Sequence, residues 1–387
     1  MGSLVLNNVS ILNNSGNHFS ISILEDKIKS VNTGPVSSLE NSHTINFKNS
    51  LALPGLFNAH DHLEFNLFPS LRSKIYRDYL EWSNDIQRSY STEINSVLNI
   101  PIELRLKFGM IKNLFNGITT VMHHGKNFIQ KSEQIINVFN GYNYLHSISL
   151  EKNWRAKLML KLNKRPFVLH LGEGIGEEVE NEINKLLKWN IFKRKIVAVH
   201  GISLKKHHAN KLTALIWCPD SNLSLYNKTA NILELKTRMP VLFGSDSNLT
   251  SDPNFWNQLR IARKINALND DELINSITSL PGELFNIKNT GKIMSDFRAD
   301  VVIVKKKSED NFEAFFNVNP EDILIIIRNG KIILFDDSLE NECAYLNYSK
   351  FKIRGSIKFT DKEIVAIIRK LEDYKVRLPL EISTIDH

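Results

Sequence analysis

Two histidines one residue apart, His60 and His62, close the apolar stretch LALPGLFNAHDHLE at residues 51–64. On a β-strand, residues i and i+2 share a face, so both imidazoles aim at one point beyond the strand end. On a helix they would lie about 200° apart. Two neutral imidazoles that converge in this way suit a borderline divalent cation such as zinc. Groups of the same chemical kind end later apolar runs. His170 closes PFVLHL and is followed by Glu173 between Gly172 and Gly174; His200 closes IVAVH before Gly201; Asp246 closes VLFGSD. The paired glycines let the backbone turn sharply, so that Glu173 folds back toward the same place. Imidazoles and carboxylates gathered on one rim can bind a metal, move protons, or both.

For these side chains to meet, the runs that carry them must lie side by side. Six apolar segments read as strands: Ile118–His123, Tyr144–Ile148, Phe167–Leu171, Ile196–His200, Ala214–Cys218 and Val241–Asp246. Amphipathic helical patterns accompany them, among them Tyr76–Tyr90, Ile102–Phe115 after Pro101, and a helix started by Asp252-Pro253 with Phe255, Trp256, Leu259 and Ala262 on one face. Strand–helix alternation predicts a parallel sheet covered by helices, and in a β/α barrel the strand C-termini form the active-site rim. Between His124 and Phe167 one strand is evident where a full barrel needs two; Phe128–Phe139 is the place for the other. On either side of this region the texture is β: short strands from Leu4 to Phe47, then Ala299–Val304, Ile323–Arg328 and Lys331–Phe335 with Asn329-Gly330 as a tight hairpin turn. In the tail, Thr360-Asp-Lys-Glu363 reads as a capping box before a helix striped by Ile364, Ile367, Ile368 and Leu371.

Composition narrows the function classes. At 387 residues, 42% hydrophobic and 24% charged, the chain is an ordinary globular protein of more than one average domain. A net charge of +7 invites a nucleic-acid reading, but the basic clusters Lys193-Arg194-Lys195 and Lys305-Lys306-Lys307 lack interleaved stacking aromatics, so no nucleic-acid partner is expected. Two cysteines, Cys218 and Cys343, form no disulfide framework and fit a reducing cytoplasm. No apolar run approaches the roughly 20 residues of a membrane helix, and no signal-peptide pattern opens the chain. The expected partner is a small-molecule substrate, with a homodimer as an option for assembly.

The segments PGLFNAHDH, GITTVMHHG, VLHLGE, AVHGISL, WCPDSN, GSDS and GKI…ADVVIV with IRNGKI, taken together and in this order, resemble the amidohydrolase superfamily, in its cytosine-deaminase-like and chlorohydrolase-like branch. The resemblance runs from Leu4 to about Phe335. It implies a distorted TIM-type (β/α)8 barrel at 54–290 and a small β-sandwich composed of 1–53 and 291–345; residues 346–387, for which the resemblance does not account, read as an extension with one helix. It implies one divalent metal, Zn2+ with Fe2+ as the alternative, on His60, His62, His170 and Asp246, and it implies that Glu173 and His200 work on the substrate. No lysine ends a strand near Ile148, which argues against a carbamylated bridge and two metals; Lys126 is the nearby candidate for one. At the end of the second strand, one of the neighbours His123 and His124 faces the pocket.

The residue types then define a mechanism. A metal lowers the pKa of a bound water toward about 7, Asp246 takes the proton, and the hydroxide attacks a trigonal carbon while His200 steadies developing charge. Glu173 can protonate a ring nitrogen as that carbon becomes tetrahedral, which favours hydrolytic deamination of an aminated heterocycle. Cyclic amide, C–Cl or C–S hydrolysis uses the same apparatus, and a non-catalytic binding protein would predict a broken ligand set. For substrate contacts the sequence offers Arg72 and Arg77 in the aromatic loop Phe65–Tyr79, then His123, His124, His146, and Asn222 with Tyr226.

Overall fold

The computed structural model describes residues 3–12, 14–36, 42–125, 129–130, 133–161 and 163–385. It is a mixed α/β structure whose chain divides into two compact units. One comprises Met1–Phe57, Met110–Thr120 and Ile277–His387; the other comprises Asn58–Gly109 and Val121–Ser276.

In the first unit, alternating short apolar segments form one sheet of eleven strands. Ser3–Ile11 pairs antiparallel with Asn14–Leu24, and Asn14–Leu24 with Lys27–Thr33. Ser50–Pro54 runs parallel to the first strand and antiparallel to Val301–Lys305, with Leu53 opposite Val302 and Ala52 opposite Ile303. The N-terminal and late β segments therefore share one ladder. They also share one core, in which Leu6, Ile21, Val301, Ile325 and Phe335 are buried together. Asn329 and Gly330 both take positive φ, 49° and 74°, as a two-residue hairpin loop requires, and join Ile323–Arg328 to Lys331–Asp336.

The tail contributes more than the single helix expected of it. Ser349–Ile353, Ser356–Thr360 and Ser383–Thr384 extend the same sheet. The helix is Lys362–Glu372, with Ile364, Val365, Ile368 and Leu371 buried. Its cap is Asp361, whose carboxylate accepts from Glu363 N, rather than Thr360. Thr360 is committed elsewhere: it ends a strand opposite Leu334, and its hydroxyl donates to Ile333 O.

The second unit holds five parallel strands in the order Val241–Phe243, Ala214–Trp217, Ile196–His200, Phe167–Leu171, Asn143–Tyr144. Leu56–Asp61, Ile118–His123 and Asn137–Phe139 form a three-stranded sheet. Among the described residues no ladder joins the two sheets, although Asp246 N donates to His60 O at 3.0 Å. Of the strand expected over 144–148 only Tyr144 lies in a ladder, within the two-residue strand Asn143–Tyr144. Beyond it Leu145 N still donates to Val168 O and His170 N to His146 O, so pairing continues without regular geometry. The pattern over 76–90 forms the helix Tyr79–Ser89, and a second helix, Ser91–Leu98, follows beyond the expected span. The helix expected to start at Asp252-Pro253 spans Phe255–Ile265 and is capped by Asn254, which accepts from Trp256 N at 3.0 Å. Among the described residues, no helix is long and apolar enough to cross a membrane.

Candidate active site

The strand Leu56–Asp61 is buried along its whole length, and alternation brings His60 and the following His62 to one side. Their Nε2 atoms each lie 3.3 Å from Nε2 of His170, at the end of the strand Phe167–Leu171. Asp246 Oδ1 completes the group, 3.8 Å from His60 Nε2 and 3.7 Å from His62 Nε2. Asp246 reaches this point because its strand stops at Phe243. Gly244 then passes so close to His60 that a Cβ would stand 2.6 Å from that of the histidine. Asp246 itself adopts a left-handed backbone, φ 57°. His200 does the same at φ 70°, at the last residue of its strand. Non-glycine residues pay about 1–3 kcal/mol for such conformations, which persist where surrounding structure enforces them.

Burial holds His60 and His170 well below ordinary imidazole basicity, and the neighbouring imidazoles act in the same direction. Both rings are therefore neutral at pH 7. Nδ1 of each is buried without a partner. Asp246 behaves oppositely. Burial alone would raise its pKa, but His200 and His62, with hydroxyl hydrogen bonds to Oδ2 from Ser221 (2.7 Å) and Thr250 (3.0 Å), hold the carboxylate below its usual range. His60, His62 and His170 together offer three imidazole nitrogens that could hold a metal ion, and the Asp246 carboxylate beside two of them is of the same donor chemistry.

Glu173 and His200 form the other side of the site. Glu173 Oε2 lies 3.7 Å from His200 Nε2, and Oε1 accepts a 2.9 Å hydrogen bond from the Tyr226 hydroxyl. Burial raises the Glu173 pKa, Asp246 adds to the rise, and His200 and Tyr226 offset part of it. His200 Nδ1 lies 2.9 Å from Asn222 Oδ1, while Asn222 Nδ2 donates to His200 O and to Thr229 Oγ1. An amide oxygen can only accept, so Nδ1 carries the hydrogen and Nε2 keeps its lone pair toward Glu173. The loop bearing Glu173 is pinned from outside: Gly174 (φ 132°) bridges Asp78, where a Cβ would come within 2.5 Å of Arg77 O, and Ser203 Oγ donates to Gly174 O.

A cavity of about 280 Å³ opens onto His62, His170, Glu173, His200 and Asp246. Tyr79, Trp82, Ser83, Ile86 and Gln87, spaced along one face of the helix Tyr79–Ser89, form its far wall with Phe65, Phe68, Ile94 and Leu98.

The remaining sequence candidates divide. His146 lines the cavity. His124 is buried with its ring 4.5 Å from that of His170 and 5.0 Å from that of His60, whereas His123 turns to Glu64, 3.6 Å away, and to Leu63 N. Asn222 stands behind His200 rather than on the cavity wall. Arg72 and Arg77 are exposed, Arg72 donating to Ser224 O and Arg77 lying near Glu81, and neither lines the cavity. Their long side chains follow solvent while Phe68, Leu71 and Tyr76 of the same loop are buried and Ile75 is exposed. Lys126 lies outside the described residues. Reasoning from sequence did not single out Ser221 and Thr250, the two hydroxyls on Asp246; Ser221 was legible only as part of WCPDSN.

Comparison with known proteins bears on this geometry. The Amidohydrolase family matches residues 159–333. The chain is 24% identical over 383 residues to 5-methylthioadenosine/S-adenosylhomocysteine deaminase of Clostridium tetani, covering 81% of this chain and 88% of that protein. It is 23% identical over 361 residues to the protein of the same name from Caldicellulosiruptor saccharolyticus, covering 76% and 83%. The fold is similar to that of an adenosine deaminase from Xanthomonas campestris solved with bound zinc, with a TM-score of 0.70 at 15% identity over 97% of this chain and 98% of that one.

Proposed function

We propose that the chain, whose residues 159–333 match the Amidohydrolase family, is a metal-dependent hydrolase of that kind that releases ammonia from an aminated heterocycle. The fold reading attached to this is a distorted (β/α)8 barrel carrying a composite β-sandwich. His60, His62, His170 and Asp246 would hold the cation, zinc or alternatively iron(II). Such a cation supplies Lewis acidity and makes a bound water a nucleophile near neutral pH.

The observation that carries the reading is Glu173. It is a buried carboxyl with a raised pKa that lines the same cavity as the ligand group and is within 3.7 Å of His200. A carboxyl whose pKa is raised by burial holds its proton more readily and can give it to a ring nitrogen as the adjacent carbon becomes tetrahedral. Asp246, with Oδ2 held by two hydroxyls, accepts the proton released by water. His200, its Nδ1 fixed on Asn222, presents a lone pair that can accept a hydrogen bond from the attacking oxygen. Collapse breaks the C–N bond, the amine leaves as ammonia with a proton returned to it, and water's oxygen stays on the ring carbon. The deaminase names of the relatives support this reaction class. The apolar far wall of Phe65, Trp82, Ile86 and Leu98 supports an uncharged ring substituent.

The test is metal analysis, followed by an ammonia-release screen of aminated purines, pyrimidines, triazines and pterins. Glu173→Gln should keep metal, fold and substrate affinity and lose about 10²–10⁴-fold in kcat and kcat/KM together. Undiminished turnover in that variant, or substrate ring opening without ammonia, would overturn the deaminase reading.

A further inference from the structure

The eight-residue helix Pro219–Tyr226 touches each of the three groups assigned proton transfers or charge stabilisation. Ser221 donates to Asp246, Asn222 accepts from His200, and Tyr226 donates to Glu173. The first two contacts fix a carboxylate and a tautomer. The third acts on the group that must deliver a proton to substrate, and nothing derived so far uses it.

We propose that Tyr226 is a positioning residue that decides which oxygen of Glu173 carries the transferable proton. This rests on the reading of Glu173 as the general acid. A carboxyl group has two nearly equivalent oxygens about a broad terminal torsion, so a protonated Glu173 without a further restraint could present its O–H in two directions. A phenol that donates to Oε1 makes that atom the carbonyl oxygen, because the protonated form has one O–H and retains acceptor capacity on the other oxygen. The proton then resides on Oε2, the oxygen on the His200 side, 3.7 Å from Nε2. Tyr226 is suited to the donor role: burial and the nearby Glu173 hold its hydroxyl in the protonated form. It is also held rigidly. Its ring is 1% exposed and packs with Tyr76 and Leu225, against Trp82 and Ile202. Tyr76 N donates to Leu225 O at 2.8 Å, and the Tyr76 hydroxyl donates to Asp85 at 2.7 Å. The phenol therefore reaches Glu173 from a fixed wall.

The test is a double-mutant cycle in the metal-loaded full chain. The readout is ammonia release from 5′-methylthioadenosine, or from the screened aminated heterocycle that the wild type turns over fastest. Tyr226→Phe should lower kcat about 10- to 100-fold at nearly constant KM, since misdirection of a catalytic group can cost that much. In the Glu173→Gln background it should cost nothing further, because the group it positions is gone. The infrared carboxyl band of Glu173, isolated by difference against Glu173→Gln, should shift in Tyr226→Phe, and this needs no substrate. Full activity in Tyr226→Phe, an effect that multiplies with that of Glu173→Gln, or an unmoved band would each overturn the proposal while leaving the acid role of Glu173 standing. Undiminished turnover in Glu173→Gln alone would overturn that acid role and this inference with it.

Discussion

Two of the protein's buried polar clusters are built on opposite rules. In the sheet unit, Lys358 is fully buried, and its ammonium donates to Glu321 O (2.8 Å), Ile323 O (2.7 Å) and Asp336 Oδ2 (2.6 Å). Three donors meet three acceptors, and Asp336 accepts further from Ser338 N and Oγ. In the other unit, His60 and His170 each leave Nδ1 unpartnered, and His124 leaves both nitrogens so. A satisfied buried network specifies structure, whereas a native site with several unmet groups calls for a ligand, water or ion. The contrast separates the polar groups that hold the fold from those that are available for chemistry.

The comparison breaks most visibly at the ligand group. His60→Ala or Asp246→Ala should lose tightly bound metal and with it all but residual activity; one equivalent of metal retained in both variants would dissolve the distinction. Next comes Lys358→Met, which strands Asp336 in the sheet. Breaking one side of a buried pair costs about 3–5 kcal/mol, so its thermal midpoint should fall well below that of the wild type while metal content per folded chain stays constant. A midpoint unchanged within error would show the pair to be dispensable.

The pair also sets a smaller, pH-dependent effect. Burial would raise the Asp336 pKa, but Lys358 and the Ser338 donors outweigh it, so the folded value lies below the ordinary one. A carboxylate of this kind stabilises fully above the unfolded range near pH 4 and loses its contribution as pH falls through the lower folded value. The acid limb of stability should therefore be shallower in Asp336→Asn; an unaltered limb would assign acid sensitivity elsewhere. The smallest effect belongs to Arg72→Ala. An exposed side chain outside the cavity should change KM by less than about twofold and stability by less than about 0.5 kcal/mol, and a tenfold rise in KM would return Arg72 to substrate recognition.

What sequence revealed follows from what each signal depends on. His60, His62, His170, His200 and Asp246 were legible because they end apolar runs, and strand periodicity is a local property. The helix starts were harder. Asp252-Pro253 carries a start signal, yet Asn254 has the geometry to accept from Trp256 N. Lys358 could not be recognised as buried from its own strand, because its acceptors lie on Glu321, Ile323 and Asp336. Arg72 and Arg77 seemed suited to the pocket by their aromatic neighbours, but the loop turns those neighbours inward and the cations outward. Tyr226 was noticed as an aromatic near the site; its hydrogen bond to Glu173 joins positions 53 residues apart and leaves no local trace.

The pairing of Ser50–Pro54 with Val301–Lys305 has a consequence for how the protein is made. A ribosome releases the first strand long before its partner exists. At ~5–20 residues per second the interval is roughly 10–50 s. Throughout it, one edge of an almost wholly buried strand has no neighbour, while all of the intervening second unit emerges and can collapse. The nascent chain must keep that edge from pairing with other chains, which makes this strand the place where a chaperone would matter most and where overexpression would first yield aggregates.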